Sequence, residues 1–226
     1  MQYNKIKSSL NKIYSKIHNK IDWKIYDYYW IIKIFIKNKK PKNNDLVSIK
    51  RYIPNIKYDI KYATTDNFTH KQIYKSQEEN LILKYQAIKR LKKAEKYANQ
   101  QWLFLKIWDA YRPDDAQIVL RDYYDKIWLP ARLKSKLVAK PIKLGWKWSK
   151  HLSGEAIDLT LVDKNWNELE MPTKFDEFWN KTSWNYVNKL AQNNIKKENA
   201  LKLKETMEKA GFKTLKSERW HFESKT

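Results

Sequence analysis

From Ser76 onward the apolar residues of this chain keep changing period, from helical spacing to strand spacing and back, and that alternation confines the fold more than any other feature. Between Ser76 and about Gln100, the residues Leu81, Leu83, Tyr85, Ile88, Leu91, Ala94 and Tyr97 recur among charges at roughly helical spacing, which predicts an amphipathic helix. The run WLFLKIW, Trp102 to Trp108, has the length and apolar density of a strand. It ends at DAYRP, where Pro113 suits the first turn of a new helix continuing through Ala116 and Val119. Residues 126–148 are irregular and basic, broken by Pro130, Pro141 and Gly145. AIDLTLV, Ala156 to Val162, alternates as a strand does. Lys197 to Ala210 predicts another amphipathic helix with Gly211 at its C-terminal cap, and FKTLKSERWHFE reads as a last strand or hairpin. No Gly-rich phosphate loop joins a strand to a helix. The expectation is therefore an α+β fold, a compact single domain with a small, mainly antiparallel sheet flanked by helices, in place of a doubly wound nucleotide fold.

Length and composition set the outer bounds. The 226 residues suit one domain with an extension. Residues 1–45, rich in Lys, Asn, Ile and Tyr and closing on KNKKPKNND, read as a basic leader, and 46–226 as the main domain. A hydrophobic fraction of 42% with 15% aromatics excludes a disordered chain. The formal charge of +22 raises nucleic acid or an anionic surface as a partner. The lysines, however, are dispersed over nearly the whole length among Ile, Asn and Tyr, so no nucleic-acid partner is expected. The absence of cysteine excludes disulfides, thiolate metal ligands and a Cys nucleophile. The segment Trp23 to Ile36 follows a lysine-rich start in the manner of a signal peptide. Asp27 and Lys33 interrupt it, and its apolar run is far below the roughly 18 residues of a spanning helix. Stable membrane insertion is not expected. A cytoplasmic location is, with export or envelope association through the leader as the alternative. Oligomeric state stays open.

Chemistry concentrates around two of the four histidines, His18, His70, His151 and His221. His151 opens HLSGEAID, in which Asp158 follows at the front of the predicted strand and Gly154 permits a tight reversal between them. His221 lies three residues after Glu218, and residues three apart in an extended segment point to opposite faces. A bulge or bend near Arg219 is needed to bring both into one site. Two imidazoles and a carboxylate make a three-ligand set of the kind that holds catalytic zinc with a fourth position open. Glu218 is then placed for general-base work, and Arg112 for stabilising an oxyanion. Plainer readings stand beside these. Either histidine alone fits a surface residue, Asp158 a turn cap and Glu218 a solvated strand position. Arg112 fits a partner of Asp109 or Asp114 across the turn. The aromatics Trp102, Trp108, Tyr111 and Trp220 fit core positions better than substrate stackers.

SKHLSGEAIDLTL, Ser149 to Leu161, resembles the Ser-x-His-x-x-Gly-x-Ala-x-Asp signature of zinc D,D-peptidases, the family of VanX-type dipeptidases and VanY-type carboxypeptidases, and SERWHFE, Ser217 to Glu223, resembles their Glu-x-Trp-His signature. KYATTDNFT at Lys61 to Thr69, IWDAYRP at Ile107 to Pro113, and Phe175-Asp176 after Met171 point to the dipeptidase branch. The resemblance spans roughly residues 57–223 and implies a catalytic domain with its zinc site at the sheet. It implies one zinc ion per chain held by His151, Asp158 and His221, Glu218 as general base and Arg112 as transition-state stabiliser. Asp176 would bind the substrate's ammonium, with Ser149 and Asp109 among the substrate contacts. The implied reaction is hydrolysis of the small dipeptide D-alanyl-D-alanine, a cell-wall precursor. The alternatives are a D,D-carboxypeptidase or endopeptidase on larger muropeptides, and a non-catalytic basic binding protein on a peptidase-like scaffold. His70 stands where the family commonly has Gly, Pro172 replaces a common Gly, and Arg219 replaces the usual first Trp of its EWWH word. The segment between Arg112 and Ser149 is also shorter than in familiar members. These departures bear on the entrance to the pocket and on substrate length.

Overall fold

In the computed structural model of the chain, the described residues are 40–126, 149–177 and 180–224. Residues 1–39 of the leader, including Trp23 to Ile36, and nearly all of the basic stretch 126–148 lie outside them. From Pro41 on, the described residues belong to one unit, Pro41–Thr226.

Seven strands and five α-helices are seen among the described residues: β1 (Leu46–Ser48), α1 (Ile49–Tyr52), β2 (Lys57–Tyr58), β3 (Ile82–Lys84), α2 (Tyr85–Asn99), β4 (Phe104–Asp109), α3 (Asp114–Lys126), β5 (Ala156–Val162), α4 (Trp184–Lys189), α5 (Ile195–Lys209), β6 (Phe212–Leu215) and β7 (Glu218–Ser224). The main sheet has the order β2-β4-β5-β7-β6, and β1 pairs with β3 in a separate two-stranded ribbon. Only the short edge pair β2–β4 is parallel; β4–β5, β5–β7 and β6–β7 are antiparallel. This is the α+β architecture that the alternating periods predict.

The helix predicted from Ser76 starts nine residues later, at Tyr85. Leu81, Leu83 and Tyr85 are spaced by two, which is strand alternation, and Ile82–Lys84 pairs with Leu46–Ser48 as an antiparallel ribbon. From Tyr85 on the helical stripe is real: α2 buries Ala87, Ile88, Leu91, Ala94 and Ala98. Helix α5 buries Ala200, Leu203 and Met207 on its own inner face. Those α2 residues, Leu203 and Met207 form one core with Leu105 and Ile107 of β4, Ile157, Leu159 and Leu161 of β5 and Phe222 of β7, while Ala200 packs with Trp184 and Val187 of α4 in a second cluster. Asn194 caps α5 by accepting from the amides of Lys196 (3.0 Å) and Lys197 (3.3 Å), and Gly211, at φ +98°, follows its end as expected.

Strand β5 occupies exactly the residues predicted for it, but all seven are buried. Its alternation therefore does not separate core from solvent. Ile157, Leu159 and Leu161 join the helix-covered core, which leaves Asp158 and Thr160, both buried, for the opposite face. That second face, at the centre of the sheet, carries the residues of the candidate site. No helix among the described residues is long and apolar enough to cross a membrane.

Candidate metal centre

Asp158 and His221 are register partners across the β5–β7 pair, so the sheet itself brings a carboxylate and an imidazole together. His151 reaches the same spot from the turn before β5. That turn is tied by Ser153 N to Ser149 O at 3.1 Å, Gly154 N to His151 O at 3.0 Å and Glu155 N to Lys150 O at 2.9 Å. Gly154 is required there. It sits at φ +69°, and a Cβ would lie 2.3 Å from Leu46 Cδ2 and 3.1 Å from the Lys84 amide nitrogen. Lys84 N donates to Gly154 O at 2.8 Å, and the Lys84 and Lys150 ammonium groups both pair with Glu155.

Three donor atoms converge. His151 Nε2 lies 3.1 Å from His221 Nδ1 and 3.4 Å from Asp158 Oδ2, and His221 Nδ1 lies 3.0 Å from Asp158 Oδ1. Ligands about 2.0–2.1 Å from a tetrahedral ion sit roughly 3.3 Å from one another, so these separations fit such an ion without rearrangement. His151 Nδ1 donates to the Ala110 carbonyl at 2.7 Å, which leaves the Nε2 lone pair facing the cluster. His221 turns its other nitrogen toward Glu223 Oε1 at 3.5 Å. Burial alone would push the Asp158 carboxyl up, but His151 and His221 beside it hold it far below the usual carboxylate range. Burial works against charge on His221 as well, yet its contacts with Asp158 and Glu223 raise its pKa to about 10. An environment that stabilises a proton this well is also one suited to a dication.

Arg112 stands at the rim of this cluster. Its Nε and Nη2 donate to Asp109 Oδ2 at 2.9 and 2.6 Å, its Nη1 donates to Gln117 Oε1 at 3.3 Å, and Nη2 lies 3.6 Å from Asp158 Oδ2. Asp109, expected among the substrate contacts, faces the protein: Oδ2 accepts from Arg112, while Oδ1 accepts from the Tyr74 hydroxyl at 2.9 Å and the Ala110 amide at 3.0 Å. Burial raises its pKa against the pull of Arg112 and His151.

Glu218 opens β7, and the bulge that its spacing from His221 demands is present. Thr214 of β6 faces Phe222, whereas the next residue, Leu215, faces Glu218, so β7 carries three extra residues, Arg219 to His221, at that step. Glu218 is half-buried, and burial raises its pKa, opposed chiefly by His221 and reinforced by Asp158; Arg112 and His151 also act on it. Asp176, at φ +56°, is buried, and its Oδ1 accepts from the Tyr62 hydroxyl at 3.2 Å. Its Oδ2 has no partner among the described residues. Burial pushes its pKa well up, while Arg112, Asp158 and Glu218 are all near enough to act on it. Ser149 is buried at the base of the His151 turn. Of the three departures, His70 is exposed at φ +53°, Pro172 is half-buried, and Arg219 is entirely buried.

Sequence reasoning missed Tyr62, Tyr74, Gln117 and Glu223. Tyr62 and Glu223 lie inside the quoted words, which is the only signal they offered. Tyr74 and Gln117 reach the site through hydrogen bonds to Asp109 and Arg112 that no local pattern encodes.

Two imidazoles and a carboxylate that could hold a metal ion, set across the centre of a sheet beside the carboxyl of Glu218, are an arrangement suited to a metallopeptidase, and the chain is of that class. It belongs to the D-ala-D-ala dipeptidase family, Peptidase_M15, whose profile matches residues 42–226. It is 35% identical over 181 residues to a D-alanyl-D-alanine dipeptidase of Escherichia coli (strain K12), covering 79% of this chain and 84% of that protein. A D-alanyl-D-alanine dipeptidase of Enterococcus faecium is 30% identical over 181 residues, covering 74% and 85%. Among solved structures, the LdcB LD-carboxypeptidase is similar with a TM-score of 0.46 at 18% identity, covering 83% of this chain and 70% of that one.

Proposed function

We propose that the enzyme is a zinc-dependent D,D-dipeptidase that hydrolyses D-alanyl-D-alanine. The observation that carries the choice of a dipeptide is Asp176. Its Oδ2 is buried without a partner among the described residues, in the same electrostatic neighbourhood as Asp158, Arg112 and Glu218, which supports a site that takes a free ammonium close to the scissile bond. The names of the relatives support the D-alanyl-D-alanine assignment.

His151 Nε2, Asp158 and His221 Nδ1 would hold the ion, and the protonated Nδ1 of His151, locked on Ala110, keeps the donor nitrogen inward. Zinc held by these three groups would supply Lewis acidity, polarising the scissile carbonyl and lowering the pKa of water at the site. Glu218 takes the proton of the attacking water on its carboxylate and hands it to the leaving amine. Its raised pKa suits both halves of that transfer. Arg112 meets the negative charge that develops on the carbonyl oxygen, and Asp109 holds the guanidinium in place from behind. Asp176, whose pKa burial raises, would pair with the substrate's ammonium, and Ser149 lines the pocket beside the His151 turn.

The test is D-alanyl-D-alanine turnover before and after chelation, with a pentapeptide ending in D-alanyl-D-alanine as the second substrate. Chelation is expected to abolish activity on the dipeptide and zinc to restore it. Glu218→Gln is expected to keep zinc by metal analysis and to lose about a thousandfold in kcat. Faster cleavage of the pentapeptide would replace the dipeptidase reading with a carboxypeptidase one.

A further inference from the structure

Asp176 lies in a stretch, residues 169–177, that has neither helix nor strand, so something outside it must fix where its carboxylate stands. We propose that Arg219 is that positioning residue: it sets the distance between Asp176 and the Glu218–His221 end of the site, and through that distance selects a substrate with a free amino terminus. The inference rests on the assignment of Asp176 made above.

Arg219 follows the proposed base directly in the chain and lies in the part of β7 that the register break frees from β6. It is 0% exposed, and its Nη2 donates to the carbonyl oxygen of Thr173, three residues before Asp176. Glu168 and Glu177, one on either side of Thr173, attract the same guanidinium from further away. The next residue of the strand, Trp220, makes the matching apolar contact. Its ring lies 5.7 Å from that of Phe175, which also packs on Trp108 at 5.2 Å and Tyr62 at 5.9 Å. The Arg219 guanidinium carbon in turn lies 5.3 Å from the Trp220 ring. Two consecutive residues of β7 thus grip two points of the segment, one by a hydrogen bond and one by ring packing.

Two features mark the grip as more than filling. Asp176 is held at φ +56°, in the left-handed region, which is less costly for Asp than for most non-glycine residues but still uncommon. Arg219 keeps Nε and Nη1 without partners among the described residues, an arrangement that an apolar side chain of similar volume would avoid. The charge therefore stands where its one bond, to the segment bearing Asp176, is what it contributes.

The experiment compares kcat/KM for D-alanyl-D-alanine with that for its N-acetyl derivative, which lacks the ammonium, in the zinc-loaded enzyme. Asp176→Asn is expected to lower the free-to-acetylated ratio. Arg219→Met is expected to lower it about tenfold, the worth of one hydrogen bond from a charged donor, mainly through KM for the free dipeptide. Arg219→Gln serves if the Met variant does not fold, with the same expectation, and Arg219→Lys should recover most of the ratio. Combining Arg219→Met with Asp176→Asn should lower it no further than Asp176→Asn alone. A ratio unchanged in both Arg219→Met and Arg219→Gln, whatever happens to stability or to turnover of both substrates together, overturns the positioning role. No change in Asp176→Asn overturns instead the reading of Asp176 on which it rests.

Discussion

Burial would strip the His221 ring of its charge, yet its bonds to Asp158 and Glu223 raise its pKa to about 10. Without metal the ring is therefore protonated through neutral pH, and a metal ion must displace that proton to bind Nδ1. Calorimetric titration with zinc at pH 7.5, repeated in buffers of different ionisation enthalpy, should show about one proton released per ion from this residue. The same shift has a consequence for the metal-free fold. Because the folded pKa lies above the unfolded value of about 6.5, the stabilisation from charged His221 is fully present below that pH and is lost as pH rises through about 10. Thermal melts of the chelated protein should therefore give a lower Tm at pH 10 than at pH 6, and His221→Asn should remove that part of the slope.

At the scale of elements, the ends and breaks decide more than the regular stretches. Helix α2 closes with Trp102 N bonded to Asn99 O and Leu103 N to Ala98 O, both at 3.1 Å, the paired bonds that normally place a glycine in the left-handed conformation. Here that position is Trp102, at φ +58° and with its ring 79% exposed. With only three glycines in the chain, His70 at φ +53° and Trp166 at φ +69° fill other such positions. Since the Trp102 ring is largely in solvent, Trp102→Gly should stabilise the protein by up to about 1 kcal/mol, read as a rise in Tm. Trp102→Val should lower it. The bulge in β7 works in the opposite sense: it gives up ladder pairing so that Glu218 and His221 can serve one site.

At the scale of the whole molecule, one face of the sheet is packed with helices and the other holds charges that no apolar neighbour can neutralise. A zinc ion bound only by the native arrangement should add RT ln(1 + [Zn]/Kd) to stability, so chelation should lower Tm and His151→Ala should abolish that difference. The formal charge of +22 is a property of the surface more than of the reaction. A dipeptide zwitterion carries no net charge, so kcat/KM should change by less than about twofold between 50 and 500 mM NaCl. A steep loss with salt would instead point to an anionic substrate.

Periodicity located β5 to the residue and α5 within two residues, because in both the pattern is continuous and nothing non-local competes with it. It misplaced the start of α2, because Leu81 and Leu83 satisfy helix and strand spacing alike, and only the pairing of Ile82–Lys84 with Leu46–Ser48 decides between them. The residues of the site were legible as words in the chain, and even the need for a bulge beside Arg219 followed from spacing. Their relations were not. Apart from Asp109 and Arg112, three residues apart and readable as partners across one turn, the groups that meet are far apart in sequence: Asp158 faces His221, and Arg219 grips Thr173. Local patterns encode which face a side chain takes and how long an element runs. Which groups meet depends on strand order and register, and those are settled when the core closes and the sheet has no other way to pair.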